Sequence, residues 1–168
     1  MGCIRPARKE DLARCMEIYA AAQRFMVKAG NPNQWQVGFP TEEMIARDIE
    51  GHHLMVWTDE DGVPQGSFAF LLGLEPDYAK IYEGEWQDNG AYDVVHRFAT
   101  AKQGLGIGSA MMRWALDEAK AEGMAVRIDT HRDNIPMRGL IRSCGFVYCG
   151  IVHIRRNGEE RLAFTHAF

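Results

Sequence analysis

Three closely spaced glycines lie in residues 103–109, which are Gln-Gly-Leu-Gly-Ile-Gly-Ser. Glycine lets backbone N–H groups turn toward a ligand without obstruction by side chains. The apolar spacing after this loop predicts a helix, whose N-terminus carries a partial positive charge. A loop of this kind in front of a helix suits a pyrophosphate group. A flexible glycine-rich loop that binds nothing is the alternative that these residues leave open.

Two common nucleotide-binding motifs are excluded by the order of these residues. A Walker loop ends in Gly-Lys-Ser/Thr, whereas Gly108 is followed here by Ser109 and Ala110. A Rossmann fingerprint needs the spacing GxGxxG, whereas the three glycines follow GxGxG. The loop therefore belongs to neither class.

The elements that would position this loop follow from apolar periodicity and from turn residues. In the first half we expect a strand at residues 3–5, a helix from about Lys9 to Gly30, a helix over 41–50 with Thr41 as N-cap, and strands at 54–58, 66–74 and 92–99. In the second half we expect a helix over 106–122, a strand at 125–129, a short helix from Asn134 to Gly145 with Asn134 as N-cap, and strands at 146–154 and 161–166 around Asn157-Gly158. This order predicts an α/β fold of the α+β type, with a mixed sheet and helices on both faces.

Two motifs resemble those of the GNAT superfamily of N-acetyltransferases. Gln103-x-x-Gly106-x-Gly108 resembles the family's Q/R-x-x-G-x-G/A pyrophosphate loop. Residues 134–146 are similar to its N-x-x-A-x-x-L-Y-x-x-x-G-F helix, with matches at Asn134, Leu140, Gly145 and Phe146. The first dozen residues resemble the family's first strand and helix. The resemblance therefore covers nearly the whole chain.

This resemblance implies an enzyme that transfers acetyl directly from acetyl-CoA to an amine in a ternary complex. It implies a mostly antiparallel sheet with a splayed parallel strand pair near Phe98 and Asp129, and coenzyme A in the gap. The residues that would bind coenzyme A are Phe98, Ala99, Thr100, Gly104, Leu105, Gly106, Ile107, Gly108, Ser109, Asn134, Met137 and Leu140.

Amine acetylation needs a group that accepts a proton, because an alkyl amine of pKa about 10 is almost fully protonated at pH 7. Asp129 is the first candidate, since in family members that acetylate protein N-termini a carboxylate on this strand, five residues before the Asn, is the proposed base. His96 and His131 follow, because neutral imidazole is a competent base near pH 7. Glu85 is the fourth candidate.

The sequence departs from the family pattern at Ile141, where many members have a Tyr proposed to protonate the leaving thiolate. Water, Tyr148 or Cys144 would have to replace it. A non-catalytic protein that binds acetyl-CoA as a sensor is therefore an alternative to the enzyme.

The acceptor should meet two connections, residues 31–40 and 75–93. Trp35, Tyr82 and Trp86 are candidates for cation–π contacts, and Glu83, Glu85 or Asp88 for neutralising an ammonium group. We therefore expect a small cationic amine as acceptor, and a protein N-terminus or lysine as the alternative.

The 168-residue length predicts one domain over residues 1–168, which the resemblance identifies as a GNAT domain. The composition, 46% hydrophobic and 25% charged, is typical of a soluble protein. The net charge of -4 and the lack of a basic stripe argue against nucleic acid as a partner. Without an export signal, a membrane-length apolar run or paired cysteines, we expect a cytoplasmic protein that holds no metal and does not bind membranes. The sequence leaves open whether the protein forms a homodimer.

Overall fold

The computed structural model of the protein describes residues 2–88 and 90–168. In this part of the chain the strands are β1 (Cys3–Pro6), β2 (Leu54–Thr58), β3 (Pro64–Leu72), β4 (Tyr92–Thr100), β5 (Ala125–Thr130), β6 (Val147–His153) and β7 (Glu160–His166). The helices are α1 (Leu12–Lys28), α2 (Glu42–Glu50), α3 (Ile107–Ala121) and α4 (Ile135–Ser143). None of the helices within the described ranges is long and apolar enough to cross a membrane.

Two helices begin at the capping residues that the sequence predicted. The Thr41 hydroxyl oxygen accepts a hydrogen bond from the backbone N–H of Met44 at 3.2 Å, at the start of α2. The Asn134 Oδ1 accepts one from the backbone N–H of Met137 at 3.2 Å, at the start of α4. Each cap satisfies a backbone donor that has no partner inside its helix.

All seven strands form one sheet in the order β1-β2-β3-β4-β5-β7-β6. Each neighbouring pair is antiparallel except β4 and β5, which are parallel. This confirms the predicted mixed sheet. The sequence did not predict that the last hairpin places β7, rather than β6, beside β5.

Helices cover both faces of the sheet because strand side chains alternate between the faces. Leu54 and Val56 pack with α1 and α2, whereas Met55 between them packs with α3. The predicted helices on both faces are therefore confirmed.

The parallel pair separates after three residues. Tyr92–Val94 pair with Ala125–Arg127, and the pairing stops there, while β5 remains paired with β7 along its other edge. A bulge in β4 accompanies the separation: Ala99 pairs with Ser67 but His96 pairs with Ala69, and Arg97 between them has φ +49°. This confirms the splayed pair, and it leaves the β5-facing edge of β4 unpaired from Val95 onward.

Candidate active site

Two adjoining cavities open where β4 and β5 separate. One, here called the loop cavity, lies between the glycine loop, α1 and α4. The other, here called the splay cavity, lies between β4, β5 and residues 34–39. Met26, Phe98, Asn134 and Met137 line both cavities. The two cavities therefore meet at these four side chains, where ligands in both could come into contact.

The loop cavity is built around a helix N-terminus. Gly104 and Gly106 have φ of +79° and +73°, a conformation that side-chain-bearing residues rarely adopt. Gly106 is the N-cap of α3, and no side chain caps this helix. The backbone N–H groups of Ile107, Gly108 and Ser109 therefore lack partners within the helix and are available to an anion.

All twelve residues predicted to bind coenzyme A line the loop cavity. The structure thus brings together the glycine loop, the end of β4 and the first turn of α4. Sequence reasoning missed Lys102, which also lines this cavity and adds a positive charge beside the glycines. Its position directly before Gln103 is the signal that could have found it.

The residues present fit coenzyme A on two counts. Unpartnered N–H groups at the start of α3 suit a pyrophosphate. The unpaired edge of β4 offers backbone donors and acceptors to the amide groups of a pantetheine chain, as a sheet edge does to an added strand.

The splay cavity contains Asp129, near the end of β5. The Tyr78 hydroxyl donates a hydrogen bond to Asp129 Oδ2 at 2.7 Å, and Tyr78 itself is 2% exposed. Burial raises the pKa of Asp129 above its ordinary value, although the charge of His96 and the bond from Tyr78 oppose the rise. A carboxylate with a raised pKa is a stronger base than an exposed one.

His96 lies in the same cavity, next to Glu75. The His96 Nε2 and Glu75 Oε2 are 2.7 Å apart. Burial raises the pKa of Glu75, but the hydrogen bond and charge of His96 outweigh burial and hold that pKa below its ordinary value. Because a carboxylate only accepts, Nε2 carries the proton, and Nδ1 of a neutral ring is left as the acceptor.

The other two candidate bases lie outside the splay cavity. Glu85 is exposed in the connection between β3 and β4. His131 Nδ1 accepts a hydrogen bond from the backbone N–H of Asp133 at 3.1 Å. Of the four candidates, the structure brings together only Asp129 and His96.

Of the three aromatic residues predicted for the acceptor, only Trp35 lines the splay cavity. Tyr82 stacks on His153 with ring centres 4.2 Å apart, and Trp86 packs on Tyr78 and on the Arg127 guanidinium. The expected cation site around Tyr82 and Trp86 is therefore not assembled at this cavity.

The acidic residues expected beside that cation site also lie elsewhere. Glu83 and Glu85 are exposed and do not line the cavity. Asp88 is buried and accepts from Arg127 Nη2 at 2.7 Å. This buried ion pair attaches the connection between β3 and β4 to Arg127 on β5. No local sequence pattern indicates the pairing.

Sequence reasoning also missed Gln34, which lines the splay cavity and bonds to Asn134, a residue of both cavities. Its Oε1 accepts hydrogen bonds from Asn134 Nδ2 at 2.8 Å and from Asn31 Nδ2 at 3.0 Å. Its backbone carbonyl accepts from Arg161 Nη2 at 2.9 Å. The contacts with Asn134 and Arg161 span 100 and 127 residues of the chain, and contacts over such separations leave no signal in the sequence.

Ile141 is fully buried in the core that includes α3 and β5. Among the residues that the structure describes, neither Tyr148 nor Cys144 lines either cavity.

Within the described residues, no group of three or more His, Cys, Asp or Glu side chains is arranged to hold a metal ion.

Comparison with known proteins agrees with this geometry. The model of the acetyltransferase (GNAT) family matches residues 12–146. This chain belongs to the GNAT family. It is an N-acetyltransferase, of a family whose members use acetyl-CoA as co-substrate.

Several solved structures share the fold of this GNAT acetyltransferase. A GNAT-family acetyltransferase from Streptococcus agalactiae 2603 is 28% identical, with a TM-score of 0.82 over 99% of this chain and 95% of its own. One from Listeria monocytogenes 4b F2365 is 16% identical, with a TM-score of 0.73 over 99% and 95%. The ribosomal-protein-S18-alanine N-acetyltransferase from Escherichia coli is 17% identical, with a TM-score of 0.64 over 98% and 92%. No curated protein sequence matches this chain.

Proposed function

We propose that residues 1–168 act as one acetyltransferase domain that moves an acetyl group from acetyl-CoA to a small primary amine. The observation that supports this most directly is the adjacency of the two cavities. One offers backbone donors to a pyrophosphate, the other contains the partly buried carboxylate of Asp129, and they share four side chains. Donor and acceptor can then meet in one ternary complex.

The loop cavity is the proposed site for coenzyme A. The N–H groups of Gly104 to Ser109 would hold the pyrophosphate, and the end of β4 from Phe98 to Thr100 would hold the pantetheine. Asn134, Met137 and Leu140 would line the opposite side. When bound, acetyl-CoA supplies an acetyl group activated as a thioester.

Asp129 is the proposed base. An alkyl amine reaches the site as ammonium, and only the neutral form can attack a carbonyl carbon. The Asp129 carboxylate takes the proton from the amine nitrogen, and the Tyr78 hydroxyl holds the carboxylate in place. His96 and its Glu75 partner lie in the same cavity. When the imidazole of His96 is neutral, its Nδ1 is a second proton acceptor.

A small acceptor suits the dimensions of the splay cavity. Its volume is about 340 Å³, at the lower end of the range for small-molecule sites. Trp35 and Phe39 give it aromatic walls. Its lining carboxylates, Glu75, Asp77 and Asp129, can attract an ammonium group, and they lie in a wall that also contains Arg97, Arg156 and Arg161.

The experiment that tests this proposal is release of free coenzyme A thiol, followed for the purified chain with acetyl-CoA and a panel of amines. The panel includes alkyl amines, diamines, amino acids and peptides with free N-termini. Thiol release that depends on a small amine supports the proposal. Thiol release with peptides alone would indicate that the acceptor is a protein N-terminus and not a small amine. Tight binding of acetyl-CoA without turnover would contradict the proposal that the protein transfers acetyl groups.

A further inference from the structure

The splay cavity is positively charged on the side formed by the β6–β7 hairpin, which the proposed function does not use. Arg156, in the loop of this hairpin, lines the cavity. Its guanidinium carbon lies 4.1 Å from the ring centre of Phe39, a second lining residue. This stacking holds the plane of the guanidinium at the cavity wall.

The other arginines of the cavity already have partners. Arg97 Nε donates to Asp48 Oδ2 at 2.8 Å. Arg161 Nη2 donates to Glu159 Oε2 at 3.0 Å as well as to the Gln34 carbonyl. These two cations therefore hold the cavity together.

Arg156 differs from them. Within residues 2–88 and 90–168 its guanidinium makes neither an ion pair nor a hydrogen bond, and its contact there is the Phe39 ring. The side chain is exposed, so its N–H donors remain hydrated and open to a ligand. A guanidinium in this state suits a carboxylate, which it can bind through two parallel hydrogen bonds.

The acidic groups of the cavity all have partners. Glu75 is bonded to His96, Asp129 to Tyr78, and Asp77 Oδ1 accepts from the backbone N–H of Arg155 at 3.0 Å. Among the described residues that line the cavity, no acidic side chain therefore pairs with Arg156. A ligand that fills the cavity would meet a carboxylate base and an unneutralised cation.

We propose that the acceptor is zwitterionic, an amino-acid-like molecule whose amine faces Asp129 and whose carboxylate is bound by Arg156. The inference rests on the proposed function, because it identifies the class of amine that the same site acetylates. A charge-assisted pair of this kind should favour the carboxylate-bearing acceptor by roughly 10- to 100-fold in kcat/KM.

The test compares matched acceptors that differ only in the carboxylate. α-Amino acids and their carboxamides are assayed by thiol release from acetyl-CoA. Amidation lowers the pKa of the amine, so each rate is divided by the concentration of neutral amine at the assay pH. The wild type should prefer the amino acids by roughly 10- to 100-fold. Arg156→Gln should abolish that preference by slowing the amino acids alone, and Arg156→Lys should restore part of it.

Arg155→Gln is the matched control, since Arg155 is an exposed neighbour whose side chain does not line the cavity. It should keep the wild-type preference. The inference would be overturned if the wild type used amino acids and carboxamides at equal rates. It would also be overturned if Arg156→Gln lowered the rate equally with both. In either case the proposed function would stand. Failure of every amine to release thiol would overturn both.

Discussion

At the residue scale, the Tyr78 hydroxyl and the Asp129 carboxylate act as one unit. Burial makes Asp129 a better proton acceptor, and the 2.7 Å bond from Tyr78 limits that effect by stabilising the charged form. A carboxylate base works only when deprotonated, so the rate per neutral amine falls as pH drops through the raised pKa of Asp129. The bond from Tyr78 thereby influences where the acidic limb of the pH profile lies.

Tyr78→Phe should move that limb to higher pH, because the ionised carboxylate loses a donor. The measurement is kcat/KM against pH for wild type and variant. Tyr82→Phe is the control, since Tyr82 stacks on His153 outside both cavities. A limb that stays in place in Tyr78→Phe would contradict the assignment of Asp129 as the titrating base.

The sequence allowed Asp129 to be chosen as a candidate because it lies five residues before Asn134, in a recognisable motif. Tyr78 could not be chosen on the same grounds. It lies 51 residues from Asp129 in the chain, and only the packing of the connection between β3 and β4 brings the two together. Pairs of this kind depend on tertiary structure.

At the scale of elements, the glycine loop and α3 form the part of the site that local sequence predicts best. The loop residues and the helix they start are adjacent in the chain, so their geometry follows from local backbone preferences. The same holds for the N-caps of α2 and α4.

Gly106→Ala should weaken coenzyme A binding about tenfold, because a Cβ disfavours the φ of +73° that turns the loop N–H groups toward the cavity. Isothermal titration calorimetry gives the dissociation constant. Gly123→Ala is the matched control: Gly123 has φ +71° and open space around it, but lies at the other end of α3. Equal affinity in the two variants would contradict an anion site at the loop.

Only one of the three aromatic residues predicted for the acceptor lines the splay cavity, and the connection between β3 and β4 shows why. The composition of residues 75–93 indicates aromatic and acidic side chains, but which of them face the cavity depends on distant partners. Arg127 on β5 holds Asp88 and packs between Trp86 and Tyr92. The Tyr82 backbone pairs with Ile151 on β6.

Arg127→Leu should lower the free energy of unfolding by about 3–5 kcal/mol, since it leaves Asp88 buried without a counter-charge. Urea unfolding measures the change. Arg47→Leu removes an exposed ion pair with Glu43 and should cost no more than about 1 kcal/mol. Similar losses in both variants would contradict a specific role of the buried pair.

At the scale of the whole molecule, the sheet order and the splay come from pairings between distant segments. Periodicity predicted the strands and helices, but it does not tell which of β6 and β7 lies beside β5. The splayed parallel pair was expected from the GNAT resemblance. In the structure the pairing of β4 with β5 ends at Val94.

Asp93, at the base of the splay, makes the stability of the molecule depend on pH. It is 2% exposed, its Oδ2 has no hydrogen-bond partner among the described residues, and burial, with a smaller repulsion from Glu122, raises its pKa to about 6. Because this pKa exceeds the unfolded value, ionised Asp93 destabilises the folded state above pH 6. The cost disappears as pH falls below about 4, where both states are protonated.

Asp93→Asn should therefore stabilise the protein by about 1–3 kcal/mol at pH 8 and have little effect at pH 4. Thermal unfolding at the two pH values measures this. Asp117→Asn, at an exposed position of α3, should change neither value. A pH-independent effect of Asp93→Asn would contradict a buried charge at this position.

The decisive measurement is kcat/KM for acetyl transfer to the best small amine in Asp129→Asn, together with the dissociation constant for coenzyme A. Asp133→Asn, at an exposed position of the following loop, is the control. We predict a loss of about 10²- to 10⁴-fold in kcat/KM for Asp129→Asn, with unchanged coenzyme A binding and a control like the wild type. Undiminished transfer in Asp129→Asn would contradict the central claim that this carboxylate takes the proton from the amine.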